Sequence, residues 1–140
     1  MIHQVRVIFG DTDQMGVVYY ANYLRYFEAA RAAYLRSIGS SGQHLESLGI
    51  GFPVVEAHCR YRKPARYEDL LDVDVEVGDL RGASLRFTYE IRRGTDVVAD
   101  GHTVHACTSL DGRPTRIPEA LRALIEAAAG AKVPRSGGGT

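Results

Sequence analysis

The sequence predicts an α+β fold in which an antiparallel sheet of about five strands wraps around one long central helix. Five segments are rich in β-branched residues or carry apolar residues at every second position, which is typical of strands. One long segment, between the first and second of these, carries apolar residues at the 3.6-residue spacing of a helix. The chain has 140 residues, of which 45% are hydrophobic, so it is long enough for one domain with a substantial core.

The first two elements are a strand and the long helix. The strand is predicted in MIHQVRVIF, residues 1–9, which is rich in β-branched residues and in which Val5, Val7 and Phe9 alternate with Gln4, Arg6 and Ile8. The helix is predicted from Tyr20 to about Ile38, and at about 19 residues it would be roughly 28 Å long. Its predicted buried stripe consists of Tyr20, Tyr23, Leu24, Phe27, Ala30, Tyr34, Leu35 and Ile38.

The remaining elements are mostly strands. A short helix is predicted at about 42–48, and strands are predicted in FPVVEAHCRYR, LLDVDVEVGDL, SLRFTYEIRR and VVADGHTVHACTSL. Turns are predicted at Gly94-Thr95 and at Asp111 to Pro114, and a last helix at about Pro118 to Ala129. One amphipathic helix cannot bury itself, so it should pack on the apolar face of the sheet, which is a hot-dog architecture. We predict one domain over 1–129 and a disordered, glycine-rich tail over 130–140.

Composition narrows the class of protein. The formal net charge is zero, which gives no support for binding to nucleic acid or to an anionic membrane. No apolar run approaches the roughly 18 residues that membrane insertion requires, and the N-terminus resembles a strand rather than a signal peptide. Cys59 and Cys107 lack metal-type spacing, while His102 and His105, three apart in a strand, should point to opposite faces. We therefore expect a cytoplasmic protein with reduced thiols and no metal site.

The most unusual stretch is FGDTDQMGVVYYANYLRYFEAAR, residues 9–31. It places two carboxylates, Asp11 and Asp13, beside a flexible glycine, Gly16, and directly before the start of the long helix. On spacing alone, the favoured interpretation is that these acids cap turns and the helix, as aspartate often does.

Residues 11–31 also resemble the signature of the 4-hydroxybenzoyl-CoA thioesterase family, in its YbgC-like branch of acyl-CoA thioesterases. The segments RGASLRF, residues 81–87, and DGRPTRIP, residues 111–118, are similar to the same branch and fall in the same order. The resemblance covers roughly residues 3–120. It implies a hot-dog fold, assembly into homodimers or homotetramers with active sites at the subunit interface, and hydrolysis of acyl-CoA without metal or cofactor, since coenzyme A is part of the substrate.

The resemblance also implies roles for the residues of this stretch. Asp13, the second acid of the pair, would be catalytic, because a carboxylate can activate water or attack the carbonyl carbon. The backbone N–H of Tyr20 would bind the carbonyl oxygen, as free N–H groups at a helix start can. Gly16 would let the backbone approach the ligand. Supporting roles fall to four further residues: Asp11 and Asn22 hold the loop, and Val18 and Tyr19 contact substrate.

Glu28 is a rival acid, because some hot-dog thioesterases outside this branch carry the catalytic carboxylate on the central helix. Here Glu28 lies between Arg25 and Arg31 at i−3 and i+3, so an ion pair on the helix surface or at an interface is the favoured role.

Basic residues at two places are candidates for binding the phosphates of coenzyme A. The resemblance assigns the segment with Arg81 and Ser84 to the nucleotide site. Arg62 and Lys63 belong to a second basic cluster, although both groups also fit a solvated strand edge.

Three alternatives remain open at this point. An acyl-carrier-protein thioesterase would use the same chemistry, and a non-catalytic acyl-CoA-binding hot-dog protein would use the same pocket. A hot-dog dehydratase would need a histidine–acid pair at the helix, and no histidine lies between His3 and His44. The acyl group, the choice between dimer and tetramer, and the role of Asp13 as nucleophile or general base are not determined by the sequence.

Overall fold

A computed structural model of the protein describes residues 1–129. The strands are β1 (Ile2–Arg6), β2 (Ile50–Gly51), β3 (Val54–Tyr61), β4 (Leu70–Leu80), β5 (Ser84–Arg93), β6 (Asp96–Ala106) and β7 (Thr108–Ser109). The helices are α1 (Asn22–Ser37), α2 (Gly42–Ser47) and α3 (Glu119–Ala129), with a 3-10 turn at Phe9–Asp11. The tail predicted over 130–140 lies outside the described residues.

Five strands form one antiparallel sheet in the order β1-β4-β5-β6-β3. The prediction of an α+β fold with about five antiparallel strands is therefore confirmed. The alternation in the two long central strands is also confirmed, because all the side chains predicted to face inward are buried: Leu71, Val73, Val75 and Val77 in β4, and Leu85, Phe87, Tyr89 and Ile91 in β5. Leu80 is buried as well, after a register shift between Val77 and Asp79. No helix among the described residues is long and apolar enough to cross a membrane.

Helix α1 covers this apolar face but differs from its prediction. It has 16 residues instead of about 19, because Tyr20 and Ala21 form a turn before the helix begins and the helix ends at Ser37, before Ile38. Tyr20 is 61% exposed, and two residues absent from the predicted stripe, Tyr26 and Ala33, are buried. The ring of Phe27 stacks on that of Tyr89 with 4.2 Å between centroids, which fixes the middle of α1 on the sheet.

The last predicted strand is interrupted. Cys107 leaves the β6 ladder and donates its backbone N–H to Ala83, so the following residues pair with Ile50–Gly51 as β7 of a separate two-stranded sheet. Both cysteines are free thiols.

A hydrogen-bonded chain runs under α1 and satisfies the polar groups buried there. Arg31 Nη1 donates to the Tyr89 hydroxyl at 3.1 Å, and this hydroxyl is 2.6 Å from Thr103 Oγ1. Thr103 Oγ1 is 2.8 Å from His105 Nε2, and His105 Nδ1 is 3.0 Å from the Phe52 carbonyl. Because the carbonyl only accepts, His105 Nδ1 carries a proton, and burial lowers the pKa of the imidazole, which favours its neutral form. His105 therefore has a structural role as a buried, hydrogen-bonded residue of the core.

Candidate active site

A short hairpin-like loop precedes α1 and contains the candidate acid. Thr12 and Val18 form an isolated antiparallel bridge, and the Asp13 N–H donates to the Val17 carbonyl at 2.9 Å. The Gly16 N–H returns to the Asp13 carbonyl at 3.0 Å, and Gly16 has a φ of +80°, which a side chain would strain. The glycine is therefore required for the turn that presents Asp13.

The Asp13 carboxylate is held by one of its oxygens only. Oδ1 accepts the backbone N–H of Met15 at 2.8 Å and that of Val17 at 3.4 Å. Oδ2 accepts no hydrogen bond from any described residue, and the side chain is only partly buried. One oxygen thus orients the carboxylate while the other is available to a water or a substrate.

Asp11 has the opposite environment. Its side chain is buried, and Oδ2 accepts the Tyr26 hydroxyl at 2.8 Å and the Ile8 N–H at 3.3 Å. Burial first, and then the Asp11 carboxylate, raise the pKa of the Tyr26 phenol, so the hydroxyl stays a donor. The Asp11 carbonyl also accepts the Tyr19 N–H and Asn22 Nδ2, both at 2.9 Å. These are the contacts expected of the loop-supporting roles predicted for Asp11 and Asn22.

The start of α1 supplies free backbone donors. The Asn22 N–H bonds the Tyr19 carbonyl at 2.9 Å, and the Tyr23 N–H bonds the Tyr20 carbonyl at 3.4 Å. The N–H groups of Tyr20 and Ala21 donate to no acceptor within residues 1–129. Such unpaired groups carry the partial positive charge of the helix start. The N–H of Tyr20 was predicted as a donor, whereas that of Ala21 was not.

Asp13 lies between two cavities. The first, of about 320 Å³, is lined by Asp13 together with Val17, Val18, Tyr20, Tyr23, Tyr61, Arg62, Lys63 and Pro64. The second, of about 520 Å³, also contains Tyr19 and Asn22. The structure therefore brings Asp13, Val18, Tyr20, Arg62 and Lys63 together in one cavity and places Tyr19 and Asn22 in the adjoining one.

Arg62 and Lys63 are engaged in surface ion pairs in this structure. Arg62 Nε is 2.7 Å from Asp100 Oδ2, and Lys63 Nζ is 3.0 Å from Asp96 Oδ1. Exposed pairs of this kind contribute about 0–1 kcal/mol, so a phosphate group can compete for either cation.

Arg81 and Ser84 line neither of the two cavities that Asp13 borders. Arg81 directly follows β4, and its Nε is 3.0 Å from Asp79 Oδ2. The loop with Asp13 lies at the other end of β4, and a strand of this length spans roughly 33 Å at about 3.3 Å per residue. Within one chain, Arg81 and Ser84 are thus far from Asp13, and a second copy would have to bring them to it.

Glu28 is exposed and forms no ion pair among the described residues. The ion pair predicted on the helix surface is therefore wrong, because both arginine neighbours bond elsewhere. Arg25 lies 3.8 Å from Asp11, and Arg31 reaches the Tyr89 hydroxyl in the sheet. An interface ion pair for Glu28 stays a prediction.

A five-stranded antiparallel sheet packs on α1, and a loop with a carboxylate lies next to the start of that helix. These features are those of the hot-dog class. The chain belongs to the Thioesterase-like superfamily, whose family model matches residues 7–125. The acyl-CoA thioesterase YbgC of Haemophilus influenzae is 36% identical over 123 residues, covering 86% of this chain and 90% of that protein. The resemblance to the YbgC-like branch is thereby confirmed.

Two further proteins extend this relationship. The 1,4-dihydroxy-2-naphthoyl-CoA hydrolase of Thermosynechococcus vestitus is 35% identical over 129 residues, covering 90% of this chain and 88% of that protein. The crystal structure of the DHNA-CoA thioesterase of Staphylococcus aureus superimposes with a TM-score of 0.83 at 28% identity, covering 91% of this chain and 87% of that one.

Proposed function

We propose that this protein is a cytoplasmic acyl-CoA thioesterase, which hydrolyses an acyl-CoA to the free acid and coenzyme A. The observation that carries the proposal is the shared cavity of Asp13, whose Oδ2 is free, and Tyr20, whose N–H is free. Kinship with proteins named acyl-CoA thioester hydrolases supports it. The free thiols of Cys59 and Cys107 suit a reducing compartment.

The geometry suggests how the reaction would proceed. The thioester oxygen accepts hydrogen bonds from the N–H groups of Tyr20 and Ala21, which stabilise the negative charge that develops on it. Asp13 either removes a proton from a water that adds to the carbonyl carbon, or adds to that carbon itself to form an anhydride that water then cleaves. In both routes the C–S bond breaks, and coenzyme A leaves as a thiolate that takes up a proton.

The test of this function measures hydrolysis of a panel of acyl-CoAs with short, long, branched and aromatic acyl groups. The release of free thiol reports the rate. We expect rapid turnover of at least one member, and exhaustive dialysis against EDTA should leave the rate unchanged, because the carboxylate and N–H groups supply both halves of the chemistry. Turnover of acylated carrier protein alone would redirect the proposal to that substrate. No turnover of any thioester would reject it.

We further propose that the active form is at least a homodimer that pairs through β3. This strand lies at one edge of the sheet and pairs with β6 along one side, so its other side has no neighbouring strand among the described residues. Most of its eight residues are exposed. Val54 and Val55 are 48% and 58% exposed. An edge of this length is a template for another strand, and a second copy would extend the sheet and could bring Arg81 to the site.

The expected result is a dimer or larger assembly in sedimentation velocity, with specific activity falling on dilution below the dissociation constant. A monomer that keeps full specific activity at all concentrations would remove this part of the proposal.

Arg81 offers a separate test of coenzyme A binding. We expect Arg81→Ala to raise KM for acyl-CoA more than it lowers kcat, because the phosphates lie far from the reacting carbon. A pantetheine thioester, which lacks the nucleotide, should be hydrolysed by the variant as by the wild type. Arg113→Ala is the matched control, because that arginine is exposed and its side chain pairs only with nearby Asp111 among the described residues. Equal losses on both substrates would count against a nucleotide contact.

A further inference from the structure

Tyr61 joins the far end of the edge strand to the start of α1. It is the last residue of β3 and lines the cavity of about 320 Å³ with Asp13 and Tyr20. Its hydroxyl donates to the Tyr20 carbonyl at 3.0 Å, although 41 residues separate the two in sequence. Its ring centroid lies 5.2 Å from that of Tyr23 and 6.4 Å from that of Tyr20, in edge-on contacts.

This hydrogen bond fixes the orientation of one peptide group. The Tyr20 carbonyl and the Ala21 N–H belong to the same planar trans peptide and point in opposite directions. The Tyr61 hydroxyl therefore holds the free Ala21 N–H in place from the other side of the plane. The preceding peptide is fixed in the same manner, because the Asn22 N–H binds the Tyr19 carbonyl and leaves the Tyr20 N–H facing away.

Without Tyr61, little holds the Tyr20 carbonyl. The Tyr23 N–H, at 3.4 Å, is the only other donor to it within residues 1–129, and this distance is long for an N–H···O bond. Burial of the Tyr61 phenol raises its pKa to about 12, so the hydroxyl keeps its proton at neutral pH. The hydroxyl is thus available as a donor to the Tyr20 carbonyl at neutral pH.

We propose that Tyr61 is a positioning residue for the Ala21 N–H at the start of α1, acting through its hydrogen bond to the Tyr20 carbonyl of the same peptide group. The inference rests on the proposed thioesterase function and adds a residue from a different element to the site. Tyr61 would contribute to the stability of the transition state, where the carbonyl oxygen is charged, and little to the binding of the neutral thioester.

The test compares Tyr61→Phe with Tyr67→Phe. The first keeps the ring and removes the hydroxyl. Tyr67 is a half-exposed tyrosine whose ring contacts Phe9 and whose hydroxyl makes no hydrogen bond among the described residues, so it is the matched control. Removal of a direct oxyanion donor costs about 10² to 10³ in kcat, so loss of a residue that only positions donors should cost about tenfold. KM should change less than about twofold, and Tyr67→Phe should match the wild type.

Two inhibitors separate positioning from a general structural role. A trifluoromethyl ketone analogue of acyl-CoA forms a tetrahedral adduct with a negative oxygen, whereas an S-alkyl-CoA thioether has no such oxygen. We expect Tyr61→Phe to weaken inhibition by the ketone about tenfold and to leave inhibition by the thioether unchanged.

Equal weakening of both inhibitors, or a kcat for Tyr61→Phe within twofold of an active wild type, would overturn the role of Tyr61 alone. Failure of the wild type to hydrolyse any thioester would instead reject the proposed function.

Discussion

Asp13→Asn is expected to lose at least about a hundredfold in kcat, because general-base catalysis alone contributes about 10² to 10⁴ in rate. Asparagine keeps the shape of the side chain, and its Oδ1 can still accept the N–H groups of Met15 and Val17. It has no carboxylate oxygen to take up a proton or attack carbon. KM and the far-ultraviolet circular dichroism spectrum should therefore stay close to those of the wild type. The measurement is steady-state thiol release from one good acyl-CoA.

Asp11→Asn is the informative companion to this variant. The Tyr26 hydroxyl can still donate to the remaining amide oxygen, but the buried amide N–H groups lack acceptors, so the loop should become less ordered. We expect an intermediate loss of kcat accompanied by a lower melting temperature. A loss in Asp11→Asn as large as in Asp13→Asn, with no change in melting temperature, would contradict the division of roles between the two acids.

Gly101→Ala is expected to destabilise the fold severely. A Cβ at this position in β6 would lie 2.0 Å from the His58 carbonyl oxygen of β3 and 3.0 Å from Phe27 Cε2. A backbone oxygen cannot rotate away as a side chain can, so β3 would have to separate from β6. Overpacking typically costs 1–3 kcal/mol, and with a backbone clash we expect at least about 3 kcal/mol of the free energy of unfolding to be lost.

Two other glycines provide controls for urea denaturation of this variant. A Cβ at Gly78 would lie 2.7 Å from Thr88 Cγ2, a side-chain atom that can move, so Gly78→Ala should cost less. A Cβ at Gly42 meets nothing within 4 Å, so Gly42→Ala should be neutral or slightly stabilising. Gly101→Ala with a stability within about 1 kcal/mol of Gly42→Ala would contradict the packing of β3 against β6 and α1.

The parts of the fold that were predictable from the sequence are those with a strong local pattern. The strict alternation from Leu71 to Val77 predicted which face of β4 is buried, because a regular strand has a period of two. The helix stripe was less well predicted. Tyr26 is buried partly because its hydroxyl reaches Asp11, 15 residues earlier in the chain, and no helical pattern contains that contact.

The candidate site was predictable where one segment contains it. Asp13, Gly16 and Tyr20 lie within eight residues, and their grouping was visible in the motif. The role of Tyr61 was not predictable, because this residue reaches Tyr20 only when β3 pairs with β6 in the folded protein. The separation of Arg81 from Asp13 likewise follows from the direction of β4, which the sequence pattern alone does not supply.

The central claim is that the catalytic acid lies in the loop before α1 and not on the helix itself. The most direct test measures kcat of Asp13→Asn and Glu28→Gln side by side on the same acyl-CoA. Glu28 is exposed and unpaired within residues 1–129, so we expect Glu28→Gln to keep kcat within about threefold of the wild type while Asp13→Asn falls at least about a hundredfold. An inactive Glu28→Gln beside an Asp13→Asn with near wild-type turnover would place the acid on α1 and contradict the account given for the loop.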